Sequence, residues 1–188
     1  SEYVELFGVP GTLLEGYSFI SIEGNDNRNV GDIEFRFDFD AGVRIGGNGF
    51  YLIANQTAQD EYGVTANATF TASIENSSAT YALVKTSSIN GSDATGDEEV
   101  VDAVASFDNT PSTGFFGAPV LGPDGNFFPA GLGRVEDGVD TDTAADLKIL
   151  SFFNSKTENT PTPGTGEGVV EEGLGGANGG DPTIVSAI

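Results

Sequence analysis

The stretch Ile33–Asp40 reads IEFRFDFD, and it is the clearest indication of the fold in this sequence. Successive side chains of a β-strand point to opposite faces, so strict alternation of apolar and charged residues predicts a half-buried strand. The face toward the core is expected to carry Ile33, Phe35, Phe37 and Phe39, and the solvent face Glu34, Arg36, Asp38 and Asp40.

Other segments share this β-branched and aromatic composition, and no segment shows the sustained three-to-four-residue period of an amphipathic helix. These further strand candidates are Glu2–Gly8, Tyr17–Glu23, Gly49–Ala54, Ala68–Ile74, Thr80–Lys85, Val100–Phe107 and Leu147–Phe153. Clusters of Gly, Asn and Asp separate them, and such residues favour tight turns. Short strands joined by such turns predict an all-β sandwich or barrel.

Alternation within these strands also predicts the core of a two-sheet sandwich. Its expected members are Val4, Leu6, Phe35, Phe37, Tyr51, Ile53, Leu83, Val101, Val104, Ile149 and Phe152.

Composition divides the chain into three parts. Residues 1–156 form the predicted sandwich, and within it residues 108–143 are expected to be a long ordered loop packed by Phe115-Phe116 and Phe127-Phe128. Residues 157–182 are rich in Gly and Pro and have no Lys, Arg or aromatic residue, which predicts an acidic linker. Residues 183–188, TIVSAI, again have the composition of a strand.

The charge balance limits the possible partners. The 188 residues include 29 acidic and 7 basic ones, and the net charge is −22. Nucleic-acid binding is not expected, because phosphate recognition needs clustered Lys and Arg. Membrane insertion is not expected either, because no apolar run approaches the ~18 residues of a membrane span. Cations, notably Ca²⁺, are the expected counterions.

The missing residue types limit the chemistry. The chain has no Cys and no His, so it cannot form a disulfide, a thiol nucleophile or an imidazole base. No G-x-S-x-G elbow and no P-loop is present. The sequence therefore predicts a protein that is not an enzyme. Because residue 1 is not Met, we expect a chain that was cut from a precursor or is a fragment of one. A secreted, processed protein outside the cell or on its surface is the expected origin.

Calcium is the metal that the sequence favours, because it binds six to eight oxygen ligands. One candidate site is the loop with Asp137, Asp140 and Asp142, and the other is the loop with Asp93 and Asp97, followed by two glutamates. Neither loop matches the EF-hand or the calcium-binding nonapeptide repeat. The alternative for both is a solvated acidic loop.

The order of the segments resembles that of bacterial lamin-tail-like domains. SEYVELFGVPGTLLEGYSFISIEG (residues 1–24) is similar to their E-[FY]-V-E-L strand, loop and L-x-G-[YW]-x-[FIL] strand, and IENSSATYALVK (residues 74–85) to their ENSD-x-[TS]-x-LLV segment. VVDAVASFD, GAPVLGPDG, GRVEDGVDTDTAAD and TPTPG continue the series, so the resemblance extends to about Gly164.

This resemblance implies an immunoglobulin-like two-sheet sandwich without catalytic residues, of the kind found in nuclear lamins and on bacterial surface proteins. In GRVEDGVDTDTAAD it implies that Arg134 binds backbone carbonyls or nearby carboxylates and that Gly138 makes the turn. The residue after this segment is usually aromatic in such domains, whereas here it is Leu147.

These observations together predict a non-catalytic extracellular structural protein, a self-assembling subunit of a bacterial surface fibre or layer. The alternative is an accessory domain of a larger secreted hydrolase, which would bind substrate or a cell-envelope polymer. A secreted enzyme that uses carboxylates and Ca²⁺ is the third possibility.

The two ends of the sequence suggest how copies would join. Lamin-tail-like domains normally start with an apolar edge strand, which is missing here, so we expect an exposed sheet edge that can accept another strand. The expected donor is the C-terminal segment, with Thr183 at its start and Ile184, Val185 and Ile188 buried, more in the next subunit than in the same one. A disordered tail, or the first strand of a downstream domain, is the alternative.

Overall fold

The computed structural model describes residues 1–74, 77–108, 110–123, 131–150 and 183–187, and in the last range it gives the side-chain burial of Ile184. The strands within these ranges are β1 (Tyr3–Phe7), β2 (Tyr17–Glu23), β3 (Ile33–Asp38), β4 (Phe50–Ala54), β5 (Ala68–Thr69), β6 (Ala79–Lys85), β7 (Val100–Ser106), β8 (Val120–Leu121), β9 (Gly131–Arg134), β10 (Leu147–Leu150) and β11 (Thr183–Ala187). One α-helix, α1, covers Gln56–Tyr62, and two short 3₁₀-helices cover Thr86–Ser88 and Ala144–Asp146.

The strands form two sheets. The first has the order β10-β9-β11-β1-β4-β5 and the second the order β3-β2-β6-β7-β8. Neighbouring strands are antiparallel, except that β5 and β8 add to β4 and β7 in parallel. The predicted all-β two-sheet sandwich is confirmed.

The core lies between the sheets and contains most of its predicted members. Seven of them are buried, namely Val4, Leu6, Phe35, Tyr51, Ile53, Leu83 and Val104. Phe37 and Val101 pack against this cluster while partly exposed. Ile149 is also only partly buried, and Phe152 lies outside the described residues.

One prediction for IEFRFDFD was wrong, because Ile33 does not share a face with the three phenylalanines. The register between β2 and β3 shifts after Ser21, which pairs with Phe35, so that Ile22 pairs with Ile33. A bulge of this kind changes the face that the next side chain occupies. Ile33 therefore packs on the outer face of the second sheet, beside Ile20 and Ile22.

Helix α1 was not predicted from the sequence. It covers the outer face of the first sheet, where Ala58 packs with Tyr3, Leu52 and Ala54. Its seven residues, QTAQDEY, are too few and too polar to show a helical period. The end signals are nevertheless present, because the Asn55 side chain accepts a hydrogen bond from Ala58 N–H at the start and Gly63 ends the helix at φ 67°.

The long loop predicted for residues 108–143 is only partly a loop. Phe115 and Phe116 do pack together, with ring centroids 6.3 Å apart, and they help to cover the outer face of the second sheet. However, β8 and β9 lie in this region and join different sheets. Phe127 and Phe128 lie outside the described residues.

Two predicted strands are shorter than expected. The segment Ala68–Ile74 forms only the two-residue β5, and the segment Leu147–Phe153 forms β10, with residues 151–153 outside the described ranges. Within the described ranges, no helix is long and apolar enough to cross a membrane.

Candidate functional site

The C-terminal strand β11 occupies an interior position in the first sheet. It lies between β1 (Tyr3–Phe7) and β9 (Gly131–Arg134), and we call the space between those two strands the strand slot. Ile184 pairs with Leu6 and is 1% exposed, in the same core cluster. The sequence predicted an added strand at a sheet edge, whereas β11 is enclosed by a strand on each side.

The pairing of β11 with its neighbours is short and irregular. On the β1 side the register shifts between Ser186, which pairs with Glu5, and Ile184, which pairs with Leu6, so that Val185 is the extra residue of a bulge. On the β9 side the ladder consists of Ser186 with Gly133 and Ala187 with Leu132. The ladder with β9 therefore ends before it reaches Ile184.

Side chains bind the main chain of Ile184 where this ladder ends. The Ile184 N–H donates to Oδ2 of Asp102 at 2.6 Å, and the Ile184 carbonyl accepts from Nε of Arg134 at 3.1 Å. The Arg134 guanidinium also donates from Nη2 to both Asp102 oxygens at 3.1 Å and from Nη1 to Oδ1 of Asp140 at 2.9 Å. We call Arg134, Asp102 and Asp140 the clasp.

The three clasp residues come from three parts of the fold. Arg134 is the last residue of β9 in the first sheet. Asp102 lies on β7 in the second sheet, in phase with the core residue Val104, so its side chain faces the first sheet. Asp140 lies in the turn that follows β9. The clasp therefore links both sheets to β11.

The turn that carries Asp140 is held by its own hydrogen bonds. Val135 N–H donates to the Asp146 carbonyl at 2.8 Å, and the Asp146 carboxylate accepts from the Thr141 N–H at 2.6 Å. Oδ1 of Asp140 also accepts from the Asp142 N–H at 3.1 Å. The carboxylate that binds Arg134 is thus fixed by a closed loop.

Gly138 makes the turn, as the lamin-tail resemblance implied. Its φ is +79°, a backbone conformation that residues other than glycine rarely adopt. A Cβ at this position would lie 2.6 Å from Cε1 of Phe7. The turn therefore packs directly on β1, one of the two strands that form the slot.

The clasp is dry and carries an excess of negative charge. The side chains of Arg134, Asp102 and Asp140 are no more than 2% exposed, and one guanidinium serves two carboxylates. Burial raises the pKa of Asp102 to about 6, although the attraction of Arg134 lowers it and the repulsion of Asp140 adds to the rise. Burial alone would lower the pKa of Arg134, but the two carboxylates raise it above its usual value.

The first candidate calcium loop contributes to the clasp instead of forming an open carboxylate cluster. Asp140 is bound to Arg134, Asp137 is buried, and Asp142 is exposed with a left-handed φ of 56°. The structure thus shows that Asp140 binds Arg134, an interaction that the sequence did not specify.

In the second candidate calcium loop, the buried carboxylate of Glu98 binds N–H groups of the same loop. Both oxygens of Glu98 accept hydrogen bonds from N–H groups, of Thr95 and of Gly96, each at 2.9 Å, while Asp93 and Asp97 are exposed. Burial would raise the pKa of Glu98, but these N–H donors and the Thr95 hydroxyl lower it. Among the residues that the structure describes, no three acidic side chains are arranged to hold a metal ion, and calcium binding stays a prediction.

For the predicted assembly strand, the structure describes the backbone from Thr183 to Ala187 and the burial of Ile184. Ile184 is buried as predicted, although in the slot of its own chain. The burial of Val185 and of Ile188 lies outside the described residues.

Sequence reasoning named Arg134 but missed Asp102. The available signal was a single acidic residue within VVDAVAS, in phase with Val104, which alternation places on the inner face of the strand. A buried carboxylate there requires a buried cation, and the chain has few basic residues to offer.

Comparison with protein-family models gave no match, and neither curated proteins nor solved structures matched the chain. The likeness to lamin-tail-like domains therefore stays an expectation from the sequence.

Proposed function

We propose that the chain is a non-catalytic extracellular structural protein whose copies join by strand complementation, each donating β11 to the strand slot of the next. One observation carries this proposal. The strand that completes the interior of the first sheet is separated by residues 151–182 from β10, the strand before it in the chain.

The length of this connection permits exchange. Thirty-two residues lie between β10 and β11, and an extended chain spans about 3.3 Å per residue, or roughly 100 Å in total. A folded domain of this size has a radius of gyration of about 16 Å. The connection is therefore long enough to reach an identical slot on a neighbouring copy.

The contacts of β11 favour such an exchange. Its backbone pairs with β1 and β9, its Ile184 side chain enters the core, and the Ile184 main chain binds the clasp. Every one of these partners exists on each identical copy, so a donated strand would make the same contacts as a resident one. Head-to-tail donation generates a fibre when the rotation between successive copies does not close into a ring.

The composition is compatible with an extracellular location. A net charge of −22 keeps copies apart unless a specific contact joins them, and a protein without Cys needs no particular redox environment.

Paired cysteines test the proposal, because the chain has none of its own. Val4 and Ala187 are directly opposite each other in β1 and β11. Val4→Cys and Ala187→Cys are made in separate full-length chains, which are mixed, unfolded together, refolded and oxidised. Strand donation predicts a disulfide-linked heterodimer on a non-reducing gel.

Ile20→Cys and Ala82→Cys form the matched control pair. They are opposite each other in β2 and β6, two strands of the second sheet that no long connection frees for exchange. This pair should cross-link only when both cysteines are in one chain. If the Val4 and Ala187 variants also cross-link only within one chain, strand complementation is wrong.

A further inference from the structure

We propose that the strand slot is a peptide-binding site that recognises its occupant through the main chain at one position, the one that Ile184 holds. The ligand class is an extended peptide with an unsubstituted amide N–H at that position and a branched aliphatic side chain there. The identity of the natural ligand as the C-terminal segment of a second copy rests on the proposed function, whereas the mode of recognition does not.

The argument starts from the two main-chain groups of Ile184. The N–H binds a carboxylate of the opposite sheet, Asp102, and the carbonyl binds the guanidinium of Arg134. In a regular sheet a neighbouring strand would provide such partners, but the ladder with β9 ends at Ser186 and Gly133. At Ile184, two charged side chains thus bind the main-chain groups that the backbone of a neighbouring strand would otherwise bind.

Both charged groups are held in place without help from the occupant. Nη1 of Arg134 is bound by Asp140, which its closed turn fixes, and Asp102 lies within the ladder between β6 and β7, opposite Leu83. A preorganised donor and acceptor bind any peptide that presents a carbonyl and an N–H in this geometry, whatever its other side chains.

The N–H is expected to matter more than the details of the side chain. If the occupant offers no N–H, the buried Asp102 carboxylate loses a hydrogen-bond donor while the cost of removing it from water remains. A hydrogen bond to a charged group changes affinity by roughly 10- to 100-fold. Shortening Ile to Val removes one methylene from a buried contact and costs about two- to tenfold. Proline at this position would remove the N–H altogether.

Binding of synthetic peptides to the full-length Ile184→Pro chain tests the inference, because that chain cannot present its own N–H to Asp102. Three fluorescently labelled peptides are titrated and followed by anisotropy. They are DPTIVSAI (residues 181–188), the same peptide with an ester oxygen in place of the Ile184 N–H, and the same peptide with Ile184→Val. We expect DPTIVSAI to bind, the valine peptide to bind slightly less tightly, and the ester peptide to bind 10- to 100-fold more weakly.

Equal binding of the ester peptide and DPTIVSAI would overturn main-chain recognition. If none of the peptides binds to a folded Ile184→Pro chain, the peptide-binding site itself is refuted, while a heterodimer between the Val4→Cys and Ala187→Cys chains would still support the proposed function.

A second measurement does not depend on how the proline variant folds. In the unsubstituted chain, the Ile184 amide should exchange with solvent more slowly than any other amide of residues 183–187. Asp102→Ala should accelerate the exchange of Ile184 at least tenfold more than that of Ala187. If Ile184 exchanges as fast as its neighbours in the unsubstituted chain, the clasp does not recognise the main chain and the inference is wrong.

Discussion

Each sheet has several enclosed strands, and two of them, β6 in the second sheet and β11 in the first, are held differently. β6 pairs with β2 over seven residue pairs and with β7 over six. β11 pairs with β1 over four and with β9 over two, and two charged side chains bind the main chain where its ladder stops. An interior position in a sheet therefore does not by itself determine how much backbone pairing holds a strand.

The difference also shows in where the stabilising groups come from. β6 is held by long backbone ladders on both sides, regular with β2 and with one register shift with β7, which cannot be lost without opening the sheet. β11 has shorter ladders, and it is also held by the buried Ile184 side chain and by the clasp, whose residues lie outside β11. Substitutions in the clasp should therefore weaken the binding of β11 in the slot without any change to the sequence of β11.

The largest expected effect comes from Arg134→Met, which leaves Asp102 and Asp140 buried without a cation. We expect the free energy of unfolding to fall by about 3–5 kcal/mol, as when one partner of a buried ion pair is removed. Urea denaturation measures this change in the free energy of unfolding. The control is Arg36→Met in the exposed pair with Asp38, which should cost less than about 1 kcal/mol. Similar losses in the two variants would contradict a structural role for the clasp.

The next prediction compares the enclosed strands directly, through Leu83→Ala in β6 and Ile184→Ala in β11. Both side chains are buried, at 0% and 1% exposure, and such truncations cost about 2–5 kcal/mol. Leu83→Ala should accelerate amide hydrogen exchange throughout the sandwich, whereas Ile184→Ala should accelerate it mainly in β11. If both variants give the same exchange pattern, β11 opens together with the whole domain and the distinction between the strands disappears.

A smaller effect is expected where the Gly138 turn contacts the slot. Gly138→Ala places a methyl group against Phe7 at a left-handed φ and should cost about 2–3 kcal/mol. Gly63→Ala is the matched control, because Gly63 also has a positive φ but a Cβ there meets no atom within 4 Å. It should cost about 1 kcal/mol. Thermal unfolding distinguishes the two, and a loss for Gly138→Ala no larger than that of the control would mean that Phe7 moves aside easily.

The last prediction concerns the dependence of stability on pH that Asp102 contributes. Because the pKa of Asp102 is about 6 in the folded chain and ordinarily 3.8, the folded state binds more protons than the unfolded state between these two values. This contribution to stability is fully present below about pH 4 and is lost as the pH rises through 6. Each unit between the two pKa values corresponds to about 1.4 kcal/mol.

Asp102→Asn removes this titration and leaves the others unchanged. The stability of the wild type relative to this variant should therefore decrease from pH 4 to pH 7, as followed by urea unfolding at each pH. Parallel pH profiles for the two chains would show that Asp102 is ionised throughout this range.

The sequence was most informative where alternation or composition determines structure locally. The segment Tyr17–Glu23 was predicted with its observed bounds, because its β-branched and aromatic residues lie between turn clusters. In contrast, β9 has the sequence GLGR, and two glycines and an arginine give no strand pattern. It forms a strand because β10, the next strand along the chain, and β11, much later in the chain, pair with it on its two sides.

The clasp was harder to predict for a related reason. Alternation with Val104 places Asp102 on the inner face of β7, but a register shift interrupts the pattern on its other side, since Asp102 pairs with Leu83 whereas Val100 pairs with Val84. Its burial makes sense only with Arg134, which lies thirty-two residues later in the chain. Similarly, TIVSAI could be recognised as a strand, but the partners of β11 include β1, at the opposite end of the sequence.

The position of β11 also determines the order in which the chain can fold. Its partner β1 precedes it by about 180 residues, so their pairing is among the least local contacts the chain can make, and such pairings form slowly. During synthesis β11 emerges after every other strand, at a rate of about 5–20 residues per second. For several seconds, therefore, the other described strands of a new chain are present before β11 is, and under the proposed strand exchange a neighbouring copy would have that interval in which to donate its own.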